Sequence, residues 1–131
     1  MCDTCFHKIH FITGPICARC GWPLPITEAE SGEKMLCAKC LKKRKKYDKA
    51  RAVFFYDDFS RFAILKFKNA DRTDLRRFFA HYMIRAGQDL FEKTDIILPV
   101  PMYWLRKTKR QYNQAAVLAE EIARKIHKPY A

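Results

Sequence analysis

The sequence predicts a small cysteine-rich ribbon followed by an incomplete α/β domain. Three observations carry this reading. Cys17-Ala-Arg-Cys20 and Cys37-Ala-Lys-Cys40 are identically spaced pairs, sixteen residues apart. Asp95–Gln114, DIILPVPMYWLRKTKRQYNQ, reads as an apolar strand, a proline-stiffened cationic loop and the start of a helix. A strand that empties into such a loop is where an α/β fold places phosphate chemistry. Only one helix follows, so the sheet begun by that strand is expected to be unfinished within these 131 residues. The expected division is a ribbon over residues 1–46 and the first part of an α/β domain over residues 47–131.

Composition narrows the function. Hydrophobic residues make up 49% of the chain, enough to exclude a disordered polypeptide. The longest uncharged apolar run, Ile96 to Leu105, is too short to span a bilayer. No cationic start precedes a long apolar core, so no signal peptide is expected. A cytoplasmic protein without membrane insertion is the expectation. The net charge of +12, from 26 Lys and Arg against 14 Asp and Glu, favours an anionic partner.

The six cysteines form three pairs, Cys2/Cys5, Cys17/Cys20 and Cys37/Cys40. Two thiolates flanking two residues can grip one metal from a tight turn, and two such turns complete a tetrahedral four-sulfur site. Cys17, Cys20, Cys37 and Cys40 are therefore the expected ligands of a structural zinc. Disulfides are disfavoured in a cytoplasmic chain. Gly21 suits the positive φ of a knuckle turn. Pro23, Pro25 and Gly32 make the intervening segment turn-rich, so the metal is expected to supply its folding free energy, on the order of 10 kcal/mol. Cys2 and Cys5 have no fourth pair. They are further candidate ligands, cross-braced with another pair or completed by His7 and His10. The other readings are free thiols and a chain that begins late and has lost an upstream pair.

Five consecutive cations, Lys42, Lys43, Arg44, Lys45 and Lys46, lead to Tyr47. The run reads equally as a solvated linker or as a nucleic-acid contact in which Tyr47 stacks on a base. Arg51–Tyr56 is β-branched and aromatic, a strand. Asp57-Asp58 reads as a turn and helix cap. Ser60 starts a helix through Lys68 that buries Phe62, Leu65 and Ile64. After a turn at Asn69–Arg72, Thr73 or Asp74 caps a longer helix reaching Leu90 or Phe91. Its core stripe is Leu75, Phe78, Phe79, Tyr82, Met83, Ala86 and Leu90. His81 lies beside the stripe.

Asp95–Val100 is expected to be a buried parallel strand because its apolar run is continuous. Pro99 and Pro101 restrict its exit. Arg106, Lys107, Lys109, Arg110, Asn113 and Gln114 then form a candidate phosphate, pyrophosphate or nucleic-acid site: arginine grips phosphate as a fork, lysine as a point charge. The following helix, Gln114 to His127, buries Ala115, Leu118, Ala119, Ile122, Ala123 and Ile126 and turns Glu120, Glu121, Arg124 and Lys125 mostly outward. Lys128-Pro129 stops it.

Several of these stretches together resemble the ComF competence family. They are Cys2-x-x-Cys5, Ile12-Thr-Gly-Pro15, Cys17-Ala-Arg-Cys20-Gly-Trp-Pro23 and Cys37-x-x-Cys40. Tyr56, Leu65-Lys-Phe-Lys68 and Asp71 resemble its linker. Leu98-Pro-Val-Pro101 with Arg106, Arg110 and Tyr112-Asn-Gln114 resembles its Val-Pro-x-Pro…Arg…Arg-Gly-Phe-Asn-Gln signature, with Leu98 at the Val and Gln111-Tyr112 at the Gly-Phe. The resemblance implies a double zinc ribbon fused to a type I phosphoribosyltransferase-like domain. It also implies a role in DNA uptake and natural transformation. The implied ligands are phosphoribosyl pyrophosphate, with Mg in a full-length protein, and single-stranded DNA. Other competence proteins are implied partners. The family's paired acids and Thr-Thr-Gly phosphate loop do not occur here, so the chain alone is expected to be a truncated, N-terminal part without phosphoribosyl transfer activity. The competing readings are a zinc-dependent module that binds single-stranded nucleic acid without enzymatic activity, and an adaptor that docks a partner on the unfinished sheet.

Overall fold

A computed structural model describes residues 3–25, 35–69, 74–102 and 113–131. Six helices run through the described residues: α1 (Asp3–Phe6), α2 (Ala38–Lys42), α3 (Asp58–Asn69), α4 (Leu75–Ala86), α5 (Gln88–Phe91) and α6 (Gln114–Ile126). Extended segments meet only at isolated bridges among these residues: Phe11 with Phe54 and Ile16 with Pro23, both antiparallel, and Ile97 with Tyr130, parallel.

The core lies where α3, α4 and α6 converge. Ala63, Phe67, Leu75 and Phe79 are its buried centre, and Phe54, Ile64, Phe78, Val117 and Leu118 pack around them. On α3 the buried face runs Ser60, Ala63, Ile64 and Phe67, whereas Phe62 and Leu65 are exposed. The expected face of Phe62, Leu65 and Ile64 is thus corrected by roughly a quarter-turn. α3 carries apolar residues on several sides, and Leu75 and Phe79 of α4 select the one that is covered. Lys66 lies over the exposed Phe62 ring, 5.2 Å from its centroid.

The start of α3 is fixed by a reciprocal cap. Ser60 N donates to Asp57 Oδ1 at 2.8 Å, and Asp57 N donates to Ser60 Oγ at 2.8 Å. Ser60 Oγ donates in turn to Phe55 O at 2.7 Å. Each partner satisfies a donor that the first helical turn leaves over. The Asp57-Asp58 pair therefore serves the helix start.

The expected long helix is two helices. α4 closes at Gly87, whose N–H donates to Met83 O at 2.9 Å, and α5 follows at once. A Cβ at Gly87 would approach the Phe91 ring at 3.0 Å, so glycine lets the two helices pack closely at the break. The stripe is otherwise as expected at Leu75 and Phe79, with Ala80 also buried and Met83 exposed. The α6 face buries Ala119, Ile122 and Ala123, and also Glu121. Glu121 was expected outward. It is buried because Arg124 donates to it at 2.8 Å and Arg76 of α4 lies 3.9 Å away.

Two long-range attachments hold the chain together. His10–Ile12 pairs with Val53–Phe55 through Ile12 N to Val53 O and Phe55 N to His10 O, each at 2.9 Å. This pairing puts Phe6 and Phe11 against Phe78 and Tyr82 of α4. The second attachment brackets α6: Ile97 N donates to Pro129 O at 2.9 Å and Ala131 N to Ile97 O at 3.3 Å. The Asp95–Val100 segment is not the buried strand expected from its composition. Leu98 and Val100 are 66% and 75% exposed, because among the described residues it pairs only beside Tyr130.

Candidate metal centre

Two knuckles bring four sulfurs together. In the first, Gly21 N donates to Cys17 O at 3.0 Å and Cys17 N to Trp22 O at 2.8 Å, closing a tight loop around Cys17 and Cys20. Gly21 takes φ 70°, a left-handed conformation that glycine adopts without a Cβ penalty. A Cβ there would also sit 2.9 Å from Ala50 O. In the second knuckle, Cys37 precedes α2, and Cys40 N and Leu41 N both donate to Cys37 O. Ala18 N donates to Met35 O at 2.8 Å, and Arg19 Nη1 to Cys40 O at 3.3 Å, which fastens one knuckle to the other.

The Sγ atoms of Cys17, Cys20, Cys37 and Cys40 all lie within 4.8 Å of one another. Cys20 and Cys37 Sγ are 3.7 Å apart. Sulfurs about 2.3 Å from one tetrahedral zinc would be separated by roughly 3.8 Å. The donor set therefore fits a structural zinc closed on all four sides, and it is the one such cluster among the described residues. Cys17 and Cys40 are buried, and Cys20 and Cys37 are partly covered.

The four thiols are not equivalent. Burial opposes ionisation of Cys17, but the backbone N–H groups of Cys20, Cys37 and Arg19 outweigh it and bring the thiol down to about 6. The Cys37 N–H lies 3.3 Å from Cys17 Sγ. Burial, followed by the hydrogen bonds with Cys20 and Cys37, pushes Cys40 up to about 12. Burial also raises Cys20. Without a cation the cluster favours a thiolate at Cys17 and opposes one at Cys20 and Cys40. A divalent metal supplies the charge that lets all four ionise.

The other candidate residues are placed unevenly. Arg106, Lys107, Lys109 and Arg110 lie outside the described residues, as do Cys2 and the side chain of Cys5. Asn113 is the N-cap of α6: its Oδ1 accepts from Ala115 N at 3.0 Å, and its Nδ2 donates to Val100 O at 3.3 Å. Gln114 is buried and donates from Nε2 to Lys68 O at 2.9 Å. Both amides thus tie α6 to its neighbours. Lys42, Lys43, Arg44, Lys46 and Tyr47 are exposed, and Lys45 is half-buried. His10 Nδ1 sits 2.8 Å from Asp57 Oδ2.

Comparison with known proteins places this geometry. Residues 1–41 match the family described as the double zinc ribbon domain, a span that contains all three cysteine pairs. Competence protein F of Haemophilus influenzae is 27% identical over 134 residues, covering 98% of this chain and 55% of that protein. Competence protein ComFC of Bacillus subtilis is 26% identical over 136 residues, covering 98% of this chain and 54% of that protein. Along nearly its whole length the chain is similar to these two ComF competence proteins. It spans about half the length of the curated relatives it matches. No solved structure matches it.

The four-cysteine cluster is anchored by a residue that the sequence does not single out. Arg51 donates from Nη1 to Ala18 O at 3.1 Å and to Ala50 O at 2.7 Å, and from Nε and Nη2 to Asp89. It therefore joins the first knuckle to α5. Nothing local to Arg51 announces this, because Ala18 and Asp89 are both distant in sequence. Trp22, whose ring stands exposed beside the second knuckle, was likewise passed over. No helix among the described residues is long and apolar enough to cross a membrane.

Proposed function

We propose that this chain is the N-terminal part of a competence-associated protein that handles incoming DNA during natural transformation. In this reading, residues 1–46 form the zinc ribbon. Residues 47–131 begin a type I phosphoribosyltransferase-like α/β domain in the cytoplasm. The observation that carries the reading is the match along 98% of the chain to two competence proteins, together with a four-thiolate cluster that fits zinc. The parallel bridge between Ile97 and Tyr130 on either side of α6 supports the α/β assignment, since a strand–helix–strand unit pairs its strands in that sense.

Arg106, Lys107, Lys109 and Arg110, at the entrance to α6, would supply the pyrophosphate side of a phosphoribosyl pyrophosphate site, with Mg bound alongside in the full-length protein. Fork-shaped and point cations ahead of a helix N-terminus suit that anion. Other competence proteins are the expected partners. The chain by itself is not expected to transfer phosphoribosyl groups.

A chimaera tests the reading. This chain would replace the matching part of Competence protein ComFC in a Bacillus subtilis strain lacking that protein. Restored transformation is the expected result, with loss of rescue when Cys17 and Cys40 are changed to Ser. A stable, zinc-loaded chimaera that leaves transformation at the level of the deletion strain would overturn the proposal.

A further inference from the structure

Beside the metal centre lies a second feature. A recess of about 530 Å³ elsewhere is bounded by core residues such as Phe54, Phe67 and Leu118 and is mostly apolar, with Arg51, Lys68 and Gln114 also in its lining. The recess at the ribbon is different. It has a volume of about 320 Å³, opens onto the zinc ligands Cys20, Cys37 and Cys40, and is lined beyond them by Trp22, Lys39, Lys45 and Tyr47. Trp22 is 60% exposed and Tyr47 is 44% exposed. Two aromatic residues 25 positions apart in sequence (47 − 22) thus line one recess.

The fold holds both rings in place through the metal-binding turns. Trp22 leaves the first knuckle directly after Gly21, and its carbonyl accepts from Cys17 N at 2.8 Å. The segment after Tyr47 returns to the same knuckle: Ala50 N donates to Arg19 O at 2.7 Å, and Arg51 holds Ala18 O. Lys39 Nζ lies 5.7 Å from the Trp22 ring centroid. From Ala38 to Tyr47 the chain carries six cations and no acidic residue.

We propose that Trp22 and Tyr47 form a base-stacking slot for single-stranded nucleic acid, with Lys39 and the Lys42–Lys46 run tracking its phosphates. The proposal rests on the DNA-handling reading and deepens it by naming where a base would lie. Exposed aromatic faces beside a dense cationic track are the combination that binds single strands with little sequence preference. Cations alone would suit an acidic peptide equally well. The paired rings favour flat bases, and a duplex hides its base faces. The zinc contributes by fixing the separation of the rings, so the slot depends on the metal although no base touches it.

The test uses the zinc-loaded chain, a thymidine homopolymer and a base-free deoxyribose-phosphate polymer of the same length. In a Trp104→Phe background, Trp22 fluorescence should fall when the thymidine polymer binds and stay unchanged with the base-free one. Trp22→Ala and Tyr47→Ala should each weaken thymidine-polymer binding on the order of tenfold. They should leave base-free binding and zinc content unchanged, and Trp22→Phe should keep most of the affinity. Equal binding of both polymers, with no effect of Trp22→Ala or Tyr47→Ala, overturns the slot and leaves the DNA-handling reading standing. No binding of either polymer at low salt overturns both. Displacement by polyglutamate as readily as by the thymidine polymer assigns the surface to acidic peptides and also overturns the slot.

Discussion

Arg51 grips Asp89 with two hydrogen bonds, Nη2 to Oδ2 at 2.6 Å and Nε to Oδ1 at 3.1 Å. The same guanidinium reaches Ala18 O in the first zinc knuckle. One side chain therefore locks the ribbon to α5. Arg51→Met should loosen that attachment while leaving the four thiolates in place. Asp89 is 44% exposed, so solvent screens the pair, and the expected loss is about 1–2 kcal/mol. Urea denaturation of the two proteins, with zinc content measured alongside, checks both halves of that statement.

The same pair gives a pH dependence. Burial opposes the charge on Asp89, but hydrogen bonds from Arg51 and Lys49 outweigh it and hold its carboxyl below the usual carboxylate range. A group whose pKa is depressed by folding stabilises the fold above its unfolded value. That stabilisation begins to fade as the pH drops below about 4 and is gone below the folded value. Asp89→Asn should lower stability at neutral pH and reduce the steepness of acid unfolding in that window. An acid limb as steep as that of the parent chain would show that Asp89 is not its source.

Removal of the metal should cost the ribbon its structure. A site closed by four thiolates contributes on the order of 10 kcal/mol to a segment with little core of its own. Among residues 4, 6–25 and 35–46, only Ile9, Cys17, Gly21 and Cys40 are buried. Chelation should expose Trp22 further and abolish the Arg19–Cys40 link, and readdition of zinc should reverse the change. Amide exchange across the two knuckles is the direct measurement. Protection that survives full chelation would contradict the metal's role.

Gly21 and Gly14 offer a controlled comparison. Both have positive φ, 70° and 92°, but only Gly21 faces a neighbour, with Ala50 O 2.9 Å from where a Cβ would stand. Gly14→Ala should carry the backbone cost alone, about 1–2 kcal/mol. Gly21→Ala should cost more and lower zinc affinity as well, because the backbone at Ala50 must move off the knuckle. Competition against a calibrated chelator reports the second effect.

The metal ligands were legible in the sequence because two knuckles are local objects: the spacing of Cys17 from Cys20 and Cys37 from Cys40 specifies the turn by itself. Helix positions were legible for the same reason, through periodicity and the stop at Lys128-Pro129. Faces were less so. α3 offers Phe59, Phe62 and Leu65 as readily as Ala63 and Phe67, and only the approach of α4 decides between them. Glu121 read as a surface residue because its partner Arg76 belongs to another helix. The Asp95–Val100 run reads as buried because it is apolar, but burial depends on a covering layer that composition does not reveal. Arg51 and the Trp22–Tyr47 recess depend on segments brought together from a distance, so no window of sequence contains them. The Arg106–Arg110 cluster, which first drew attention to phosphate, lies outside the described residues.

The pairing of His10–Ile12 with Val53–Phe55 encloses both zinc knuckles in one long loop. Its outer contact, His10 with Asp57, joins residues 47 apart. Bringing such distant ends together costs chain entropy that grows with the length of free chain between them. Zinc shortens that free length before the ends ever meet, by tying Cys17 and Cys20 to Cys37 and Cys40. An ion bound there thus lowers the entropy cost of closing the Phe11–Phe54 contact, as well as holding the two knuckles together.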